Sequence, residues 1–156
     1  MIRINRQTDY AARILLALSR REQGQRIPTA EVQQEMLIPP AMARRIIAEL
    51  AHAGFLLTYP GREGGLSLAR PAGEINLRQV VEQFEGRLFL SDCLLSRGEC
   101  PFDDKCPIRC RWASLQNMLL RELEQITFAE LAQEADSLEI LTSLGASSIE
   151  ISENSW

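Results

Sequence analysis

A chain of 156 residues that is 46% hydrophobic can bury one ordinary core with an appendage, but not two large independent domains. No window approaches the roughly eighteen uncharged apolar residues of a membrane span, and the stretch Ala11–Leu18 is short and broken by Arg13, so a soluble cytoplasmic protein with no membrane partner is expected. The net charge of -4 hides a split: residues 1–71 carry ten arginines against six acids and residues 72–156 seven bases against fifteen acids, which confines any nucleic-acid partner to the N-terminal part.

From Thr8 to about Arg21, Ala11, Ile14, Leu15 and Leu18 recur at intervals of three and four, the stripe of an amphipathic helix that Gly24 ends. Pro28 and Thr29 open a short second helix with Val32 and Met36 on one face, and Leu37 and Ile38 close the turn after it. Pro39 and Pro40 forbid helix before them and suit the start of a third helix, Ala41 to His52, stopped at Gly54. Two apolar runs, Phe55–Tyr59 and Leu66–Ala69, flank a glycine-rich stretch and predict a hairpin. Helix, short helix, proline-started helix and glycine-tipped hairpin is the order of a winged helix-turn-helix.

Beyond Pro71 the sequence predicts a helix capped by Asn76 with Gln79, carrying Leu77, Val80, Val81 and Phe84 inward and ending at Gly86. A cysteine-bearing loop follows. A long helix, about Ile108 to Gln125, aligns Leu115, Met118, Leu119, Leu123 and Ile126 along a stripe with no evident partner in the chain. Thr127 and Glu130 form a capping box for a last helix reaching about Ala135, and the serine-rich tail from Ser143 is expected to be mobile. The reading is a mainly α fold with a small β-hairpin wing: a DNA-binding domain (1–71), a cysteine-loop and dimerisation region (72–140) and a flexible tail (141–156).

All four cysteines fall within eighteen residues: Cys93, Cys100, Cys106 and Cys110. A secreted disulfide scaffold would be smaller and denser in cysteine, so reduced thiols are expected. Thiolates on one loop bent by Gly98, Pro101 and Pro107 can converge on a soft metal centre, and an iron-sulfur cluster fits best. Structural zinc prefers closer pairs than the first three cysteines offer, and a thiol switch is disfavoured by the neighbouring acids Asp92, Glu99, Asp103 and Asp104, which Arg97, Lys105, Arg109 and Arg111 offset only in part. A fourth ligand is required, either Cys110, one helical turn past Cys106, or a carboxylate from another segment. The single histidine, His52, reads as a packing or surface residue. No phosphate-binding glycine motif and no nucleophile-histidine signature supports an enzyme.

Arg6-Gln7-Thr8-Asp9-Tyr10-Ala11, the run Ile38 to Leu50 with Ala53-Gly54-Phe55-Leu56, the wing Gly61 to Gly65 and the three spaced cysteines together resemble the Rrf-two (Rrf2) family of bacterial winged-helix regulators, in its iron-sulfur-binding branch. The resemblance covers about residues 1 to 135. It implies a homodimer joined by the long helix, which binds a roughly palindromic double-stranded DNA operator and represses or activates according to cluster state. It assigns Cys93, Cys100 and Cys106 to the cluster, 4Fe-4S favoured over 2Fe-2S. One branch places a histidine shortly after the third cysteine, where this chain has Ile108 and Arg109; another supplies an aspartate from the partner subunit, the place of Asp9 here. Asp9 is therefore the first choice for fourth ligand and Cys110 the second. DNA contacts fall to Ala41, Met42, Arg44 and Arg45 on the third helix and to Gly64, Gly65 and Arg62 in the wing, where Pro60 and Leu66 replace the arginine and tyrosine common in the family. The expected function is a cluster-dependent transcriptional repressor that senses iron, nitric oxide or redox state; the alternative is a cluster-free or zinc-containing regulator answering a metabolite or partner protein.

Overall fold

The computed structural model describes residues 3–62, 64–96, 98, 100–103 and 105–143. The tail expected to be mobile lies, from residue 144 onward, outside the described residues. The elements are α1 (Arg6–Ser19), α2 (Thr29–Glu35), α3 (Pro40–His52), β1 (Leu56–Tyr59), β2 (Gly65–Leu68), α4 (Leu77–Glu85), α5 (Pro107–Gln125) and α6 (Phe128–Ser143), the mainly helical, hairpin-winged fold that the sequence predicts.

Helix α1 opens two residues before the periodicity places it, because Asn5 Oδ1 accepts the Thr8 N–H at 2.9 Å and satisfies a first-turn donor. Its stripe is buried as predicted, and α2, α3, β2, α4 and α6 all pack on it. The hairpin pairs Leu56 with Leu68 and Tyr59 with Gly65. Ile27 adds a third strand-like residue, donating its N–H to Leu66 O at 2.9 Å and accepting that of Leu66 at 2.8 Å. This close approach requires glycine: a Cβ on Gly65 would lie 2.3 Å from Ile27 O, and one on Gly64 2.1 Å from Tyr59 O.

In α4 the expected capping box forms, Asn76 Oδ1 accepting from Gln79 N–H at 3.0 Å and Gln79 Oε1 from Asn76 N–H at 3.3 Å. Helix α5 then packs along α4, and none of its residues is buried. The chain returns beside its own path: Leu77 N–H donates to Ile126 O at 3.0 Å and Phe128 N–H to Ile75 O at 2.9 Å. Phe128, Ile75 and Val80 thereby join Ile14, Leu15, Ile46, Leu50 and Leu66 in one core. Residues beyond 71 complete the packing of the N-terminal module instead of forming a second core.

Helix α6 runs to Ser143, well past Ala135. The extension is held from outside the helix: Arg20 at the end of α1 bonds Asp136 (2.8 Å) and Glu139, and lies 3.8 Å from Glu35 of α2. Glu139 first, and then Asp136, hold the Arg20 guanidinium further above its already high pKa, against partial desolvation.

Candidate nucleic-acid interface and cysteine loop

Helices α2 and α3 meet at an angle set by the Pro39-Pro40 break, and α3 buries Ala43, Ile46, Ile47 and Leu50 against the body. The opposite face carries the residues the sequence points to. Ala41, Arg44 and Arg45 are exposed, while Met42 is half-buried against the core. At the wing, Arg62 is exposed at the tip, but Gly65 is buried against Ile27, so its evident work is shaping the base of the hairpin.

The arginines sort into two groups. Arg13, Arg20, Arg21, Arg78 and Arg109 pair with carboxylates; Arg26, Arg44 and Arg45 form no ion pair among the described residues. Arg26 was not a sequence candidate. It stacks on the Tyr59 ring, 3.8 Å from its centroid, which fixes an exposed cation at the base of the wing. No local pattern reveals it, because Arg26 meets Tyr59 only through the pairing of Ile27 with Leu66.

The cysteine loop lies between α4 and α5. Cys93, Cys100 and Cys106 are half-buried free thiols and Cys110 is exposed. Cys93 lies in a short 3-10 turn (Asp92–Leu94), its Sγ 3.3 Å from Ser91 Oγ. Cys106 caps α5, its Sγ accepting the Arg109 N–H at 3.4 Å. Between them Asp103, only 9% exposed, takes the Arg109 guanidinium at 2.6 Å and also accepts the Gly98 N–H. Arg109, near the place of the histidine ligand in one family branch, therefore serves as the partner of Asp103. Among the described residues no three side chains of His, Cys, Asp or Glu are gathered closely enough to hold a metal ion, so the thiols share a loop without converging within one chain.

Asp9 sits half-exposed on the first turn of α1, paired with Arg13 at 2.9 Å. Its neighbour Thr8 is buried, and its hydroxyl donates to Glu85 Oε1, which also accepts the Asn5 N–H at 2.8 Å. Glu85 is the last residue of α4, so the α1 start is fastened to the point where the chain leaves for the cysteine loop. Leu90 N–H bonds Gln116 Oε1 at 3.1 Å and fastens the loop's own start to α5. On α5, Ile108, Trp112, Leu115 and Met118 stand exposed at helical spacing.

A helix-turn-helix followed by a hairpin wing, with unpaired arginines on the second helix and beside the wing, defines a winged-helix DNA-binding regulator and not an enzyme. The chain belongs to the Rrf2 family, described as iron-dependent transcriptional regulators, whose family model matches residues 4–134. Among its relatives, the HTH-type transcriptional regulator NsrR of Geobacillus kaustophilus is 29% identical over 141 residues, 90% of this chain and 96% of that protein. NsrR of Halalkalibacterium halodurans is 30% identical over 138 residues, 88% of this chain and 94% of its own. The fold is similar to that of CymR, the global cysteine regulator of B. subtilis (TM-score 0.71, 18% identity, 86% of this chain and 98% of that one). It is also similar to T. potens IscR (TM-score 0.67, 17% identity, 86% and 88%). Among the described residues no helix is long and apolar enough to cross a membrane.

Proposed function

We propose that this chain is a cytoplasmic, iron-sulfur-dependent transcriptional repressor that binds a DNA operator as a homodimer and responds to iron, nitric oxide or redox state. The observation that carries the reading is the trio of half-buried cysteines on one loop fastened at both ends to the helices that would transmit a change. The donor types suit the group, since thiolates are the ligands of iron-sulfur chemistry; the three sulfurs share one loop without converging in this structure, so cluster binding would have to draw them together. The likeness to proteins named NsrR supports the same reading.

Cys93, Cys100 and Cys106 would hold the cluster, 4Fe-4S in preference to 2Fe-2S, with Asp9 of a second copy as fourth ligand and Cys110 as the substitute. Asp103 is committed to Arg109 and Gly98 and does not compete. The bound cluster would supply a centre that is lost or altered by nitric oxide, oxidants or iron limitation. The protein's part is mechanical. Glu85 ties the end of α4 to Asn5 and Thr8, so a change in the loop reaches the start of α1, on which the rest of the DNA module packs. The exposed stripe of α5 would be covered by the second copy, setting two recognition helices about one DNA turn apart. The division at residue 71 is then one of function: DNA contact through Ala41, Met42, Arg44, Arg45, Arg62 and Gly64 before it, with the buried Gly65 shaping the base of the wing, cluster and dimer seam over 72–140 after it, and a tail (141–156) with neither role.

A second reading is favoured by the separation of the thiols and by the Asp103 clamp that already shapes the loop: a cluster-free or zinc-containing regulator answering a metabolite or partner protein. Anaerobic purification separates the two. Brown protein with matching iron and sulfide, and holo and apo forms of different DNA affinity, is the expected result. Colourless protein with stoichiometric zinc, or equal affinity of both forms, overturns the cluster reading. Asp9→Ala should destabilise the cluster and leave the dimer intact; unaltered cluster stability would exclude Asp9.

A further inference from the structure

From Met36 to Ala43 the chain runs Met-Leu-Ile-Pro-Pro-Ala-Met-Ala, with no charged, hydroxyl or amide side chain. Ile38 and Ala43 are buried, but Leu37, Pro39, Pro40 and Ala41 are exposed. Leu37 is the one non-glycine residue with positive φ (53°) among the described residues, and it is 81% exposed. A branched side chain is disfavoured in the left-handed region, which glycine occupies freely, and the exposed leucine recovers little of that cost by burial. The turn holds it there: Ile38 N–H donates to Gln33 O at 3.0 Å and Leu37 N–H to Gln34 O at 3.4 Å. Strain combined with exposed apolar surface calls for a partner outside the chain.

The surroundings specify that partner's chemistry. Arg44 and Arg45 follow on the same helix, exposed and without an ion pair among the described residues, so the apolar lip is bordered by cations suited to a polyanion. On the major-groove edge of DNA, the apolar feature is the thymine 5-methyl group. Side chains without hydrogen-bonding groups have nothing to offer the acceptors of guanine or the donor and acceptor of adenine, and can discriminate only by contact with that methyl.

We propose that Leu37 and Ala41 read thymine methyl groups in the operator, so that the base pairs facing the first turn of α3 are specified by apolar contact, with Arg44 and Arg45 supplying the polar contacts beside them. This rests on the reading of α3 as the recognition helix. The test uses the full chain purified anaerobically, with duplexes enriched from a random pool, and replaces each thymine of the best duplex singly by uracil, which removes only the methyl. At one or two positions per half-site, uracil should weaken binding about fourfold, the effect of burying one methyl. Leu37→Gly and Leu37→Asn, both compatible with the turn, should melt no lower than the parent protein yet lose thymine-over-uracil preference at one of those positions. Uracil without effect at every position, or undiminished preference in both variants, overturns the proposal and leaves the lip to a protein partner. Absence of any duplex binding overturns the recognition-helix reading itself and the proposal with it.

Discussion

Phe128 is the sharpest probe of how the C-terminal part supports the DNA module. Its side chain is fully buried in the core, where α6 packs on α1 and on the short turn Ala72–Glu74, although it lies more than fifty residues beyond the wing. Phe128→Ala keeps the backbone bond from its N–H to Ile75 O, so the loss isolates the transfer and cavity terms. Truncating a buried phenylalanine costs about 3–5 kcal/mol. At roughly 3 °C per kcal/mol for a protein of this size, the melting temperature should fall by about 10–15 °C. Urea denaturation followed by far-UV circular dichroism at fixed protein concentration gives the free energy, and Phe102→Ala, at an exposed position of the cysteine loop, should stay within about 0.5 kcal/mol of the parent. A loss under about 1 kcal/mol for Phe128→Ala, with unchanged m-value, would refute the view that α6 completes the core.

Leu115→Glu places a carboxylate in the exposed stripe of α5 and should weaken the dimer by about 3 kcal/mol, roughly a hundredfold, with native circular dichroism; a dimer of undiminished strength by analytical ultracentrifugation counts against α5 as the seam. Arg26→Ala and Arg45→Ala should each lower the salt slope of DNA binding by about 0.9, and an unchanged slope removes that residue from the phosphate contacts. The Glu130 carboxyl is held below its ordinary value of 4.5, first by the Thr127 N–H and then by the Thr127 hydroxyl, and the Glu139 carboxyl is lowered by the hydrogen bond from Arg20. Because both folded pKa values lie below the unfolded ones, the stabilisation is complete above the ordinary carboxylate range and is lost as pH falls through the folded values. Glu130→Ala should therefore be less stable than the parent at pH 7, and the difference should shrink as pH falls below the ordinary carboxylate range; a difference undiminished in strong acid would show the carboxylate of the capping box is not the cause.

Local chemistry was legible in the sequence because local chemistry decides it. The capping boxes at Asn76 and Thr127, the proline start of α3 and the buried stripe of α1 each depend on residues within one or two turns, and each is present in the structure. The ends of α1 and α6 shifted for two reasons. Asn5 supplied a cap before the apolar period begins, and Arg20 reached across from α1 to hold Asp136 and Glu139.

What the sequence by itself determined was the order of elements, the arginine-bearing third helix and the clustering of four thiols on one loop, all written in periodicity, turn residues and spacing. Tertiary structure alone decided that Phe128 and Ile75 share the core of the DNA module, that Arg26 is presented by Tyr59, that Glu85 ties the loop's approach to Thr8, and that Leu37 stands strained and exposed at the start of α3. Each of these joins residues far apart in the chain or turns on a backbone angle, and neither a long-range pairing nor a positive φ at leucine leaves a periodic trace.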